Sequence, residues 1–363
     1  MQLKPFIRAM LAAGALGLAL SGAARAFEPL TIADQGAFMA GGTVKTTPGA
    51  YNALAPKAEG QTLHGDHAAV RYQIPANARE YPLVLLHGFG QSSRTWETTA
   101  DGREGFSTLL LRDGYGVYLL DQPRRGQAGN STAPAELKAA TSDQFWFGQF
   151  RIGLWPQKFA GSQFPQGDAA MDQFLRMITP DTGPSDREVI AKGVAAAVDR
   201  AGPSVLVTHS AGGGLGWLAA LKTPNVRGIV AYEPGSGFVF PEGEAPAAIE
   251  NSGFWGAFKP VVIPMQEFLK LTKYPIVIYY GDNIPSKPTA QPHQDYWRAA
   301  VQMAKLWAEA VNRHGGHVEV VQLPEKGLKG NTHFPMSDMN NREVEKLLVE
   351  WLHENKLDIR KAR

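Results

Sequence analysis

The sequence predicts an α/β fold: a mostly parallel central sheet with helices on both faces and an inserted cap. Three observations carry this expectation. Short continuous apolar runs, such as Leu83-Val84-Leu85-Leu86 and Ser204-Val205-Leu206-Val207, read as strands buried on both faces. Stretches with helical spacing of apolar residues alternate with them along the chain. At one strand-to-helix junction, Thr208-His209-Ser210-Ala211-Gly212, small residues crowd a serine.

Taken in chain order, Met1 to Ala26 reads as a secretory signal peptide. Lys4 and Arg8 make a basic start, Ala9 to Leu20 is apolar or glycine, and Ala24-Arg25-Ala26 is a small-x-small cleavage site. The apolar stretch is too short to span a bilayer comfortably, and no later stretch is long and apolar enough to do so. Residues 27–363 are then one domain, expected in the periplasm or outside the cell. A glycine-rich lead-in from Gly36 to Lys45 precedes an alternating strand, Val70 to Ile74. The strand Leu83–Leu86 is followed by a helix over Phe106–Leu111 and a strand over Gly116–Leu120. Ser185-Asp186-Arg187-Glu188 has capping-box spacing and opens a helix running to about Ala201. Further strands are expected at Val226–Tyr232, Ile276–Tyr280 and Val318–Leu323, with helices at Tyr296–Arg313 and Arg342–Asn355.

Two segments exceed a minimal sheet-and-helix count, about 122–184 and about 235–273. Long irregular connections in a compact enzyme usually form lids or pocket walls. The first carries Phe145, Trp146, Phe147, Phe150, Trp155, Phe159 and Phe164. These rings either roof an apolar substrate pocket, with Trp146, Phe147 and Trp155 as candidate substrate contacts, or form the cap's own small core.

Composition narrows the partners. Lys+Arg 36 against Asp+Glu 34, less the three cations of the signal, leaves a nearly neutral chain, so a polyanion such as nucleic acid is not indicated. The absence of cysteine excludes disulfides, thiolate metal sites and a cysteine nucleophile. His64-Gly65-Asp66-His67 and His314-Gly315-Gly316-His317, taken as polar turns, lack the helical spacing that would put two imidazoles on one metal, and no metal or cofactor is expected. Gly212-Gly213-Gly214 lacks the lysine of a phosphate loop.

The serine junction carries the chemistry. A serine held in a strained turn between a buried strand and a helix exposes its Oγ, and the helix N-terminus aims N–H groups at the same place. Gly212 supplies the nearly side-chain-free position two residues on. Thr208 stands where the usual pattern has glycine. His87-Gly88-Phe89-Gly90, directly after a buried strand, sits where a second oxyanion donor is needed, so the Phe89 and Ala211 amides are the candidate oxyanion hole. His333, past the last strand and before the final helix, is placed to take the Ser210 proton and return it to the leaving group. Its need to be neutral predicts activity rising through about pH 6 to 7 and flat above. Two carboxylates at strand ends lie between serine and histidine in chain order, Glu233 in Ala231-Tyr232-Glu233-Pro234-Gly235 and Asp282 in Tyr280-Gly281-Asp282-Asn283. Spacing alone slightly favours Asp282.

With HGFG after a strand, THSAG, AYEPG and GNTHFPMSD in order, the chain resembles the α/β-hydrolase superfamily. Within it, the chain resembles the exported bacterial esterases of the Alcaligenes esterase 713-like group. The likeness runs from about Gly36 to the final helix. It implies ester hydrolysis without cofactor or metal, and it implies Ser210, His333 and Glu233 as the triad, since in that group the acid follows the strand after the nucleophile helix. The expected substrate is a small apolar or aromatic ester. Carbon–carbon bond or lactone hydrolysis would use the same triad, and a non-catalytic ligand-binding protein could keep the fold. Oligomeric state is left open.

Overall fold

An eight-stranded sheet organises the computed structural model, which describes residues 28–360; the signal-peptide segment lies outside the described residues. Numbered in chain order, its strands are β1 (Ile32–Thr46), β2 (Thr62–Pro75), β3 (Leu83–Leu86), β4 (Val117–Asp121), β5 (Ser204–His209), β6 (Val226–Tyr232), β7 (Pro275–Tyr280) and β8 (His317–Gln322). Their spatial order is β1-β2-β4-β3-β5-β6-β7-β8. β2 runs antiparallel to both β1 and β4, and every other pair is parallel. β3 and β5 are buried along their whole length, as parallel strands covered on both faces must be.

Helices α4 (Arg187–Ala201), α5 (Ala211–Ala220) and α6 (Pro292–Arg313) pack on one face through Val194, Val198, Trp217, Ala304 and Trp307. The other face carries α1 (Phe106–Arg112) and α7 (Asn341–Glu354). There Phe106 meets Tyr232 edge-on, and Tyr279 reaches the Leu347 carbonyl.

Four details differ from the sequence expectation. The glycine-rich lead-in is the 15-residue strand β1, paired along almost its whole length with β2. Its glycines hide the pattern because pairing, rather than propensity, holds it extended. His64 to His67 lie within β2 instead of a turn, where Asp66 pairs with Arg124 at 2.7 Å; His317 opens β8. The cap of α4 is Asp186, one residue later than the spacing suggests, its Oδ1 accepting from the Glu188 and Val189 N–H groups. Such a cap contributes about 1 kcal/mol. Helix α6 begins at Pro292, four residues before its first aromatic, because proline at the first helical position gives up an N–H that has no partner there.

Residues 122–184 hold α2 (Asp143–Gln149) and α3 (Asp168–Arg176) among loops and a two-strand ribbon. Residues 235–273 divide their work. Phe238, Val239 and Phe240 enter the main core, while Trp255 stays half exposed. Among the described residues, no helix is long and apolar enough to cross a membrane.

Candidate active site

Ser210 sits between β5 and α5 at φ 56°, ψ −127°, a left-handed conformation that costs a non-glycine residue about 1–3 kcal/mol. The corner is held by its N–H donating to Tyr232 O at 2.9 Å and by close approach of backbone from several sides. A Cβ on Gly88 would lie 2.5 Å from Ser210 Cβ, and one on Gly212 would lie 2.5 Å from His87 O. Thr208 fits where a glycine is usual because the compensating space is on the helix: a Cβ on Gly216 would meet Thr208 Cγ2 at 2.7 Å.

Ser210, Ala211 and Phe89 line a cavity of about 710 Å³ together with His333. Among the described residues, neither the Phe89 nor the Ala211 N–H donates to a protein acceptor, which leaves both free for an oxyanion. His333 is 1% exposed and lies in the loop between β8 and α7. Its ring stacks on Phe150 at 5.5 Å and lies tilted against Trp297 at 4.4 Å, and its backbone N–H donates to Phe150 O. Nδ1 pairs with Glu233 Oε2 at 3.2 Å, so Nε2 is the nitrogen left for Ser210. No hydrogen bond joins Ser210 Oγ to His333 among the described residues; such contacts are often loose before substrate binds.

The motif GNTHFPMSD now has a local explanation. Buried Asp338 accepts from Thr332 N at 2.7 Å, Thr332 Oγ1 at 2.9 Å and Asn331 Nδ2 at 3.1 Å, fixing the loop that carries His333. Burial pushes Asp338 up to about 7 against the lowering effect of these donors.

Of the two strand-end carboxylates, Glu233 is the one that reaches the histidine. Asp282 instead accepts from Gly330 N and Asn283 N, each at 2.7 Å, and so pins the start of the His333 loop. Glu233 is wholly buried at φ 56°, its N–H donating to Tyr279 O. Oε1 accepts from the Gly281 N–H and from Arg151 Nη2 at 2.6 Å. Burial alone would raise this carboxyl, but the Arg151 charge and the His333 and Arg151 hydrogen bonds outweigh it and bring the pKa to about 2. Glu233 is therefore an anion at neutral pH.

Sequence reasoning missed Arg151. It is wholly buried at the end of α2, donates through Nε to Asp282 O at 2.9 Å, and lies over the Trp297 ring. Nothing near it in sequence marks it, because its partner is 82 residues away. Removing one member of a buried ion pair costs about 3–5 kcal/mol, so Arg151 is needed to keep Glu233 charged in the interior.

The aromatic wall is also revised. Trp146 lines the cavity with Phe145, Phe150, Trp255, Tyr296 and Trp297. Phe147 and Trp155 do not line it. They pack edge-to-face on each other at 5.3 Å, with Phe147 buried and Trp155 half exposed, so these two rings serve the cap itself. Within α2, residues 145, 146 and 149 face the cavity, and residue 147 turns to the other side at a helix's 100° per residue.

Residues 83–347 match the model of the alpha/beta hydrolase family. The chain belongs to that family. A probable secreted lipase, phiG, of a fungal species (strain ATCC 74256) is 30% identical over 315 residues, 78% of this chain and 85% of that one. The atomic-resolution structure of a bacterial esterase superposes on this alpha/beta hydrolase with a TM-score of 0.71 at 28% identity, covering 91% of this chain and 98% of that one.

Proposed function

We propose that this alpha/beta hydrolase is an exported serine carboxylic-ester hydrolase working through an acyl-enzyme. The observation that carries the reading is His333, paired through Nδ1 with buried Glu233, lining the same cavity as a serine at a strained strand-to-helix corner. Ser210 Oγ attacks the ester carbonyl, and His333 Nε2 takes its proton and delivers it to the leaving alkoxide. Glu233 holds the ring through Nδ1 and stabilises the imidazolium. The Phe89 and Ala211 N–H groups hold the tetrahedral oxyanion, each donor of this kind contributing about a hundred- to a thousandfold in rate. Water, activated by His333, then releases the acid. The basic, apolar, small-x-small pattern of residues 1–26 and the likeness to a lipase called secreted support export.

The cavity lining supports an apolar or aromatic ester: seven phenylalanine, tyrosine and tryptophan rings face it, and no carboxylate, lysine or arginine does. Trp146→Ala lowers kcat/KM for an aryl ester about tenfold to a hundredfold, the equivalent of one lost ring contact, while Trp155→Ala changes it little. Steady-state kinetics on a p-nitrophenyl ester series measure both; equal effects at the two positions would remove the assigned pocket wall.

The pH dependence follows from His333, which must be neutral to act as base. Burial lowers its pKa, Glu233 raises it and Arg151 lowers it, with a net fall below the ordinary 6.5. Turnover is therefore lost as pH falls through a midpoint below 6.5 and is flat above it, at the lower edge of the sequence expectation. The pH profile of kcat/KM tests this, and an optimum in acid contradicts the proposed base.

A further inference from the structure

The geometry points to Arg125 as a positioning residue for the oxyanion hole, locking the Gly88–Phe89 peptide so that its N–H faces the cavity. This rests on the esterase reading above and concerns a residue with no contact to the reacting atoms. Gly88 must lack a side chain because Ser210 lies against it, with a Cβ there only 3.1 Å from Ser210 Oγ. That freedom has a drawback. A peptide flanked by glycine flips readily, and in a trans peptide the C=O and N–H point opposite ways. A flip would put the Gly88 carbonyl where Phe89 N–H should meet the oxyanion, replacing attraction by repulsion.

Two buried donors hold the carbonyl on the far side. Arg125 Nη1 donates to Gly88 O at 2.9 Å. His87 Nδ1 lies 2.9 Å from the same oxygen, and its tautomer follows from its other nitrogen. Gln122 N–H can only donate, and it lies 3.2 Å from His87 Nε2, so Nε2 accepts and Nδ1 carries the proton. Burial and the neighbouring Arg125 charge hold His87 down to about 4, which keeps the ring neutral in that tautomer under working conditions.

Arg125 is itself fixed. Only 2% of its side chain is exposed, its Nε and Nη2 both engage Asp181, and its guanidinium lies 5.4 Å from the centre of the Phe89 ring. The Asp181 stretch also reaches further along the same loop: Thr179 N–H donates to Gly90 O at 2.9 Å. One end of the inserted segment thus grips the oxyanion loop on both sides of Phe89.

The test compares wild type, Arg125→Met and Arg125→Lys on one p-nitrophenyl ester. It adds the affinities of an arylboronic acid, which becomes tetrahedral on serine, and of the ether isostere of the ester, which does not. Arg125→Met lowers kcat about tenfold to a hundredfold with KM nearly unchanged, less than outright loss of a donor because His87 remains. Boronate affinity falls in parallel, ether affinity does not, and the pH midpoint stays in place. Arg125→Lys, which keeps a cation and a donor, recovers part of both losses. A folded Arg125→Met variant with wild-type kcat and boronate affinity overturns the inference, as does an equal loss of ether and boronate binding, which marks a merely structural residue. A wild-type protein that takes up no fluorophosphonate removes the esterase reading itself, and this inference with it.

Discussion

Ser210→Ala lowers ester turnover by roughly a millionfold, the loss typical when a triad nucleophile is removed. The fold tolerates the change. Ser210 holds its corner through backbone, with its N–H on Tyr232 O and its φ of 56° imposed by the β5-to-α5 turn, and alanine meets the same backbone demand with a smaller side chain. Two measurements go together. Turnover of a p-nitrophenyl ester should fall to the background rate, and a fluorophosphonate should label wild type with one equivalent and the variant with none. Equal labelling of the two proteins would place the nucleophile elsewhere.

Glu233→Gln lowers kcat by about ten-thousandfold, because a neutral amide cannot stabilise the imidazolium and favours the wrong ring tautomer. It also strands Arg151 in the interior without its anion, so the thermal midpoint falls as well, by an amount reflecting about 3–5 kcal/mol. Asp282→Asn is the informative control. Its carboxylate serves the Gly330 and Asn283 N–H groups rather than His333, so an amide oxygen keeps much of its role and the rate falls no more than about tenfold. The reverse order of the two effects would move the acid to the end of β7.

How far the sequence could lead depended on the range of each signal. Strands buried on both faces are legible as apolar runs, and β3 and β6 fall on the residues expected for them. The site's chain order is legible too, because a strained serine needs small neighbours that mark it locally. What depends on contacts between distant segments was not legible. β1 is mostly exposed and rich in glycine, so only its register with β2 defines it. Glu233 and Asp282 end adjacent parallel strands, and spacing alone leaned toward Asp282. Which of them meets His333 depends on backbone direction at the strand end, where Glu233 adopts a left-handed φ. Arg125 and Arg151 look like ordinary cations of a loop-rich stretch, yet both are buried by partners 56 and 82 residues away. The aromatic cluster announced itself, but composition could not tell Trp146, which faces the cavity, from Phe147 next to it.

The most direct test that Ser210, His333 and Glu233 act as one unit at this cavity is a crystal structure of the protein inactivated by an aryl phosphonate. The account predicts phosphorus bonded to Ser210 Oγ, one phosphoryl oxygen about 2.7–3.1 Å from both the Phe89 and Ala211 nitrogens, and the aryl group against Trp146. It also predicts His333 Nε2 turned toward the bonded oxygens with Nδ1 still on Glu233. An adduct on another residue, or a phosphoryl oxygen pointing away from both amides with His333 displaced from Glu233, would contradict it.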